Sequence, residues 1–164
     1  MAIRKLNKRI TFGLIGIMSL LAFTFYMTPK AIRLLYPNGI SNISPMAAQE
    51  IINSSEALVL DVREESEYAV SHLAGAKRFS PEIMNDIPYD TQILVYCTVG
   101  VRSGRLAEDL QRKGYSNVKN IDLGIINWKN QGLGVVDIAD QSTEKVHVYK
   151  GIFGLWLKRG KAVK

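Results

Sequence analysis

The chain has 164 residues, a formal net charge of +6 at pH 7 and one cysteine, enough for one compact domain with some chain left over and too few thiols for an internal disulfide. The charge is unevenly spread: residues 1–30 carry five Lys/Arg and no acid, residues 31–144 carry 10 Lys/Arg against 15 Asp/Glu, and residues 145–164 carry six Lys/Arg and no acid. The basic excess therefore belongs to the two ends, which argues against a nucleic-acid partner, because such a domain needs a basic face of its own.

Residues 1–9 hold Arg4, Lys5, Lys8 and Arg9, and no charged residue follows until Lys30. As a helix, the apolar run from Ile10 to Met27 would reach about 27 Å, near the thickness of a bilayer's hydrocarbon core. Residues 10–28 are thus expected to form a transmembrane signal anchor, with Tyr26 at an interface. The basic residues 1–9 would lie in the cytoplasm and the rest of the chain on the extracytoplasmic (periplasmic) side. A cleaved signal peptide is the competing reading, opposed by the length of the run and the lack of an Ala-x-Ala site. A buried core helix fits poorly, since the segment precedes the domain and is apolar on every face.

Residues 29–43, rich in Asn with Pro37 and Gly39, read as a linker. Ser44-Pro45 opens a helix, with Ser44 as N-cap and Pro45 at the first helical position. Ala57–Leu60 reads as a short strand ending at Asp61, followed by an acidic-start helix from Glu64 to Val70. A turn, Ser71–Ala76, leads to a short strand at Lys77–Phe79, and residues 81–90 read as irregular or weakly helical. Ile93–Tyr96 is a strand, Arg102–Lys113 a helix stopped by Gly114, Asn117–Ile121 a strand, and Gly124–Asn130 a helix carrying Trp128. Strands alternate with helices and are continuously apolar, which predicts an α/β fold with a small, mostly parallel sheet covered by helices on both faces.

Cys97 lies between the strand Ile93–Tyr96 and the helix that follows. Backbone N–H groups converge there and the helix dipole favours an anion, so a thiolate is stabilised and nucleophilic. Thr98, Val99, Gly100 and Val101 form the intervening loop, and Arg102 sets a positive group toward the sulfur. Reactive loops gather at the carboxyl ends of parallel strands, and Asp61 also sits at such an end. Asp61 and Arg63 are candidate supporting residues that would orient the loop through an ion pair, with a purely structural pair as the simpler reading. His72 reads as a turn stabiliser, Trp128 as core, His147 as a surface residue, and Arg105 as facing either the site mouth or water.

These residues carry a resemblance. Leu58-Val-Leu-Asp-Val-Arg-Glu64, Glu67-Tyr68, Ser71-His-Leu-Ala-Gly-Ala76, Ile93-Leu-Val-Tyr-Cys-Thr-Val-Gly-Val-Arg-Ser-Gly104, Leu110–Gly114 and Asp122-Leu-Gly-Ile-Ile-Asn-Trp128 together resemble a rhodanese-homology domain. The match runs over about residues 44–136, and the expected domain spans 44–140. The last block departs from the family pattern, with Leu123-Gly124 where two glycines are usual. The resemblance implies a sulfurtransferase that carries sulfane sulfur as a persulfide on Cys97. Its partners would be a small donor such as thiosulfate or a persulfide, and a thiol or cyanide acceptor, with neither metal nor cofactor. Related phosphatases keep five residues between cysteine and arginine; four intervene here, a ring sized for sulfur. The alternatives are a non-catalytic module of the same fold that binds a partner, and a thiol redox sensor at the membrane. Thiosulfate-using members of that family tend to carry charged residues inside this loop, and none stands before Arg102 here, so the resemblance implies that thiosulfate is a poor donor.

Residues 141–164 form a basic, aromatic C-terminal tail, with Phe153, Trp156, Lys158, Arg159, Lys161 and Lys164. It is too short an apolar stretch to cross a bilayer. Two readings stand: packing back on the domain, or resting on an anionic membrane surface.

Overall fold

The computed structural model describes residues 12–20, 28–54 and 57–164. The chain divides into two compact units, Met1–Ile32 and Arg33–Lys164. In the first, residues 12–20 are helical with Phe12, Leu14, Ile15, Ile17, Met18 and Leu20 exposed. The basic residues 1–9 and much of the expected anchor, residues 10–11 and 21–27, lie outside the described residues. Among the described residues, no helix is long and apolar enough to cross a membrane.

The second unit is built on five strands: β1 (Ser41–Ile43), β2 (Leu58–Asp61), β3 (Lys77–Arg78), β4 (Ile93–Tyr96) and β5 (Val118–Ile121). They form one sheet in the order β1-β5-β4-β2-β3, and every ladder is parallel. Between them run α1 (Pro45–Ser54), α2 (Glu65–Val70) and α3 (Val101–Arg112), and α4 (Gly124–Asn130) follows β5. Ser44 caps α1 as its side chain predicts, its Oγ accepting the Ala47 N–H at 3.2 Å.

The apolar runs explain why both faces are covered. Successive strand residues point to opposite faces, and β4 is buried along its whole length. Ile93 and Val95 enter one core with Leu60, Ala107, Leu110, Tyr115 and Val118, beneath α3. Leu94 and Tyr96 enter the other, with Val59, Ile121, Ile125 and Trp128, beneath α1 and α4. Trp128 is core, as expected, with its indole N–H on the Gly134 carbonyl at 2.9 Å.

The chain leaves β2 toward β3 on one side and β4 toward β5 on the other. The crevice between the carboxyl ends of β2 and β4 is therefore the topological switch point, where open parallel sheets place their ligands.

Two expected boundaries need correction. The linker expected over 29–43 is structured at both ends: Pro29–Leu35 is a 3-10 helix and β1 is an edge strand of the main sheet. A three-residue polar strand (Ser-Asn-Ile) carries no apolar periodicity of its own; pairing with β5 creates it. The expected C-terminal tail, 141–164, is part of the fold. β6 (Val135–Val136) pairs antiparallel with β7 (Ser142–Thr143), across the expected domain end at 140. β8 (Lys145–His147) pairs with β9 (Lys161–Val163) around the single turn α5 (Gly151–Gly154). Val146, Val148 and Trp156 are buried, and Lys129 Nζ meets Glu144 at 2.7 Å. A few scattered apolar residues suffice to seat this segment because the domain supplies the facing surface.

Candidate active site at Cys97

Cys97 follows β4 directly, at the switch point. Its Sγ accepts the Gly100 N–H at 3.1 Å. Gly100 has φ +87 and caps α3, a conformation that turns the loop back so its N–H can meet the sulfur at the positive end of a 12-residue helix. A glycine is required there also by space: a Cβ would lie 2.1 Å from the Tyr36 hydroxyl oxygen. Thr98 and Val99 are buried, and Val101 is half-buried as the first residue of α3.

The loop is held from four sides. On the first, the α4 N-terminus grips its carbonyls: Ile125 N–H donates to the Cys97 oxygen at 2.9 Å and Ile126 N–H to Thr98 at 3.3 Å. Leu123, in the left-handed region at φ +56, starts this helix; the departure from two glycines is thus accommodated with a non-glycine residue in a glycine-favoured conformation. On the second side, the Tyr36 hydroxyl donates to the Val99 carbonyl and accepts the Leu123 N–H, both at 2.9 Å. Burial raises the Tyr36 phenol, the hydrogen bond from Leu123 offsetting only part of it, so the group stays a neutral donor. On the third, Asn120 Nδ2 donates to the Gly100 carbonyl at 3.2 Å and is itself positioned by Ser103 and Asn42.

The fourth side is electrostatic. Arg102 forms a two-pronged pair with Glu67, Nη1 to Oε2 at 2.7 Å and Nη2 to Oε1 at 2.8 Å, and also donates to Thr98 Oγ1 at 3.1 Å. Thr98 Oγ1 in turn donates to Glu67 at 3.0 Å. Glu67 comes from the β2 side of the crevice and Arg102 from the β4 side, so the pair bridges the switch point. Burial opposes the Arg102 charge, but the Glu67 carboxylate and the neighbouring Cys97 sulfur hold it, and its pKa is raised.

Glu67 is also held by local contacts. It is the third helical residue of α2, and its Oε2 accepts the Glu64 N–H at 3.0 Å while Glu64 caps the helix reciprocally. Burial would raise this carboxyl, yet the hydrogen bonds from Arg102, Glu64 N–H and Thr98 outweigh it and its pKa is lowered. A depressed native value stabilises the fold above the unfolded value and is lost as pH falls through the native one. Glu67→Gln is therefore expected to lower the neutral-pH stability by about 1–3 kcal/mol, and the gap from wild type should narrow on acidification below roughly pH 4.3. Thermal melts of both proteins across that range check it; a gap that stays constant would deny the carboxylate this role.

Asp61 and Arg63 lie nearby but do not reach the loop. The guanidinium meets its carboxylate at 2.7–3.1 Å through Nε and Nη2, donates to the Ser71 carbonyl at 2.5 Å and lies 5.6 Å from the centre of the Tyr96 ring. The pair is wholly buried and braces β2 against the Ser71–Leu73 turn, so the expectation that it orients the loop gives way to the structural reading. His72 supports the same turn, stacked on Tyr68 at 3.8 Å. Arg105 is exposed to water.

His147 is corrected from surface residue to site neighbour: its Nδ1 lies 3.9 Å from Glu67 Oε1. The sequence reading also missed the roles of Tyr36, Glu67, Asn120 and Tyr149. Glu67 had a local signal in the Glu64-x-x-Glu67 spacing of a capping box. The alternation Val146-His147-Val148-Tyr149 was a strand signal. Tyr36 and Asn120 had none.

The family model for rhodanese-like domains matches residues 44–131. The chain is 31% identical over 97 residues to a sulfurtransferase of Allochromatium vinosum, covering 57% of this chain and 91% of that protein. It is 29% identical over 99 residues to the thiosulfate sulfurtransferase GlpE of Actinobacillus pleuropneumoniae, covering 58% and 92%. Among solved structures, a rhodanese-related protein from Thermoplasma volcanium aligns with a TM-score of 0.51 at 27% identity, covering 58% of this chain and 97% of that one. A thiosulfate sulfurtransferase from Pseudomonas aeruginosa aligns with a TM-score of 0.57 at 19% identity, covering 66% and 22%, a likeness of fold alone.

Proposed function

Since this chain belongs to the rhodanese-like domain family, whose sulfurtransferase-named members support a general role in sulfur transfer, we propose that Cys97 is the sulfur-carrying nucleophile. The Cys97 thiolate attacks the outer sulfur of a donor such as thiosulfate or a persulfide. The donor S–S bond breaks, sulfite or a thiolate leaves, and Cys97 holds the sulfur as a persulfide. A thiol or cyanide then attacks the terminal sulfur and regenerates the thiolate. The loop Thr98, Val99, Gly100 and Val101 cradles the sulfur, and Arg102 closes it. The single observation that carries this reading is the Cys97 sulfur bonded to Gly100 N–H at a helix N-terminus, inside a four-residue loop closed by Arg102, Glu67 and Thr98.

The full chain, incubated with thiosulfate or glutathione persulfide, is expected to gain about 32 Da, one sulfur atom, as a persulfide formed by thiol exchange. The gain disappears with cyanide and never forms on Cys97→Ser. No gain from either donor overturns the reading. In that event tight capture of a partner would point to a binding module, and addition of oxygen to a redox sensor.

The proposal extends to placement. The uncharged stretch 10–28, preceded by Arg4, Lys5, Lys8 and Arg9, supports a single-pass anchor with the domain on the extracytoplasmic side. Exposed Leu155, Lys158, Arg159, Lys161 and Lys164 suit contact with an anionic lipid surface, while the rest of that segment is held by the domain. A C-terminal reporter active only in the cytoplasm would overturn the orientation.

A further inference from the structure

The matched family region ends at residue 131, yet the chain beyond it returns to the Cys97 loop. Val146 and Val148 drop into the core, 0% and 2% exposed; His147 ends the strand on the opposite face, and a bend at Tyr149 follows. His147 Nδ1 comes within 3.9 Å of Glu67. The Tyr149 ring centre lies 4.7 Å from the Arg102 guanidinium carbon, and Lys150 Nζ lies 5.7 Å from the same centre.

Tyr149 takes up this position at φ +59, a backbone region that bulky L-residues rarely adopt. The His147 ring helps to hold it there, its Nδ1 accepting the Tyr149 N–H at 3.2 Å. Tyr149 is 48% exposed, so core packing does not explain the unusual backbone. The ring's described contacts are with two cations, one of them the arginine that closes the loop.

Much of Arg102 is already committed within the site, where it also faces the Cys97 sulfur. Its charge is matched by Glu67, a third hydrogen bond goes to Thr98, and its face carries the electron-rich face of Tyr149. Cys97 itself is 1% exposed, so a donor must move something to reach it.

We infer that Tyr149 is a specificity-determining residue of the Cys97 site, its ring on Arg102 making the site take sulfur from a thiol persulfide in preference to a small inorganic dianion such as thiosulfate. The inference rests on the sulfurtransferase reading above and names its donor class. At Arg102 a dianion meets a charge already matched by Glu67 and the negative face of a ring, with exposed Lys150 on that ring as the remaining cation, so removing the ring frees the Arg102 face for it. A thiol persulfide carries at most one charge and brings a carbon stem that can lie against the ring and the uncharged loop. The exchange is redox-neutral: the Cys97 thiolate attacks the terminal sulfur of R–S–SH, the new S–S bond forms as the donor S–S bond breaks, and RS⁻ leaves and takes the proton.

The test uses the full chain and intact-mass rates of Cys97 sulfur loading from two probes, thiosulfate and glutathione persulfide. Wild type and Tyr149→Phe, which keeps the ring, should share one thiosulfate-to-persulfide rate ratio. Tyr149→Ala, and Tyr149→Leu as a bulkier replacement without a π face, should raise that ratio about 5-fold, the size of one exposed cation–π contact. If both donors load all four proteins with the same ratio, the role of Tyr149 is refuted while sulfur transfer stands. If neither donor loads wild type, the sulfurtransferase reading fails and the inference falls with it.

Discussion

Gly124→Ala is expected to cut sulfur loading at Cys97 by about 100-fold, although the residue contributes no side chain to the site. A Cβ at this position would lie 2.1 Å from the Cys97 carbonyl oxygen and 2.9 Å from the carbonyl carbons of Cys97 and Thr98. None of these is the flexible end of a side chain. Relief requires the loop to withdraw from α4, which breaks the Ile125 and Ile126 hydrogen bonds to it. A displacement of about 1 Å is enough to cost two orders of magnitude where reacting atoms must be aligned. The added φ penalty at +54, with the overpacking, should lower stability by about 2–4 kcal/mol, so loading is to be compared at a temperature where circular dichroism shows the variant folded. Gly75→Ala is the matched control: its φ is +74 and nothing lies within 4 Å of the new Cβ. It should lose only about 1 kcal/mol and load normally. Equal loading by the two variants would mean that the α4 grip does not set the loop.

The largest loss of stability should come from a residue that never approaches the sulfur. Asp61→Ala strands the Arg63 guanidinium in the core, with both side chains at 0% exposure in the native pair. Burial lowers the Arg63 pKa, and the Asp61 carboxylate more than compensates, so the net shift is upward. Among the described residues Arg63 Nη1 already lacks a hydrogen-bond partner, so losing the carboxylate adds further unsatisfied donors to a buried charge. Removing one member of a buried pair costs about 3–5 kcal/mol, and urea midpoints should report a loss of that order. The double variant Asp61→Ala with Arg63→Met should recover much of it, because the cost belongs to the unpaired charge rather than to the missing attraction. A single-variant loss below about 1 kcal/mol would contradict this.

Much of this architecture is legible along the chain because its causes are local. The run Ile93–Tyr96 is apolar at every position, so it must be covered on both faces, and a parallel sheet follows. Ser44-Pro45 and Gly114 mark helix ends through side-chain and backbone preferences that act within four residues. The spacing of Cys97 and Arg102 around an uncharged loop places the nucleophile. Where a boundary was missed, as at β1 or across residue 140, the strand was too short and polar to declare itself without its partner.

The amino-acid order alone determined the sheet type, the positions of most helices and the loop that bears Cys97, since periodicity and capping are properties of neighbours in sequence. Only the folded chain decided what surrounds that loop. Tyr36 reaches Val99 across 63 residues, Glu67 reaches Arg102 across 35, and Tyr149 meets the same guanidinium from beyond the family region. Such contacts are made by whichever groups the crossing of strands brings within hydrogen-bond range, and no periodicity records them because each is a single meeting between distant segments.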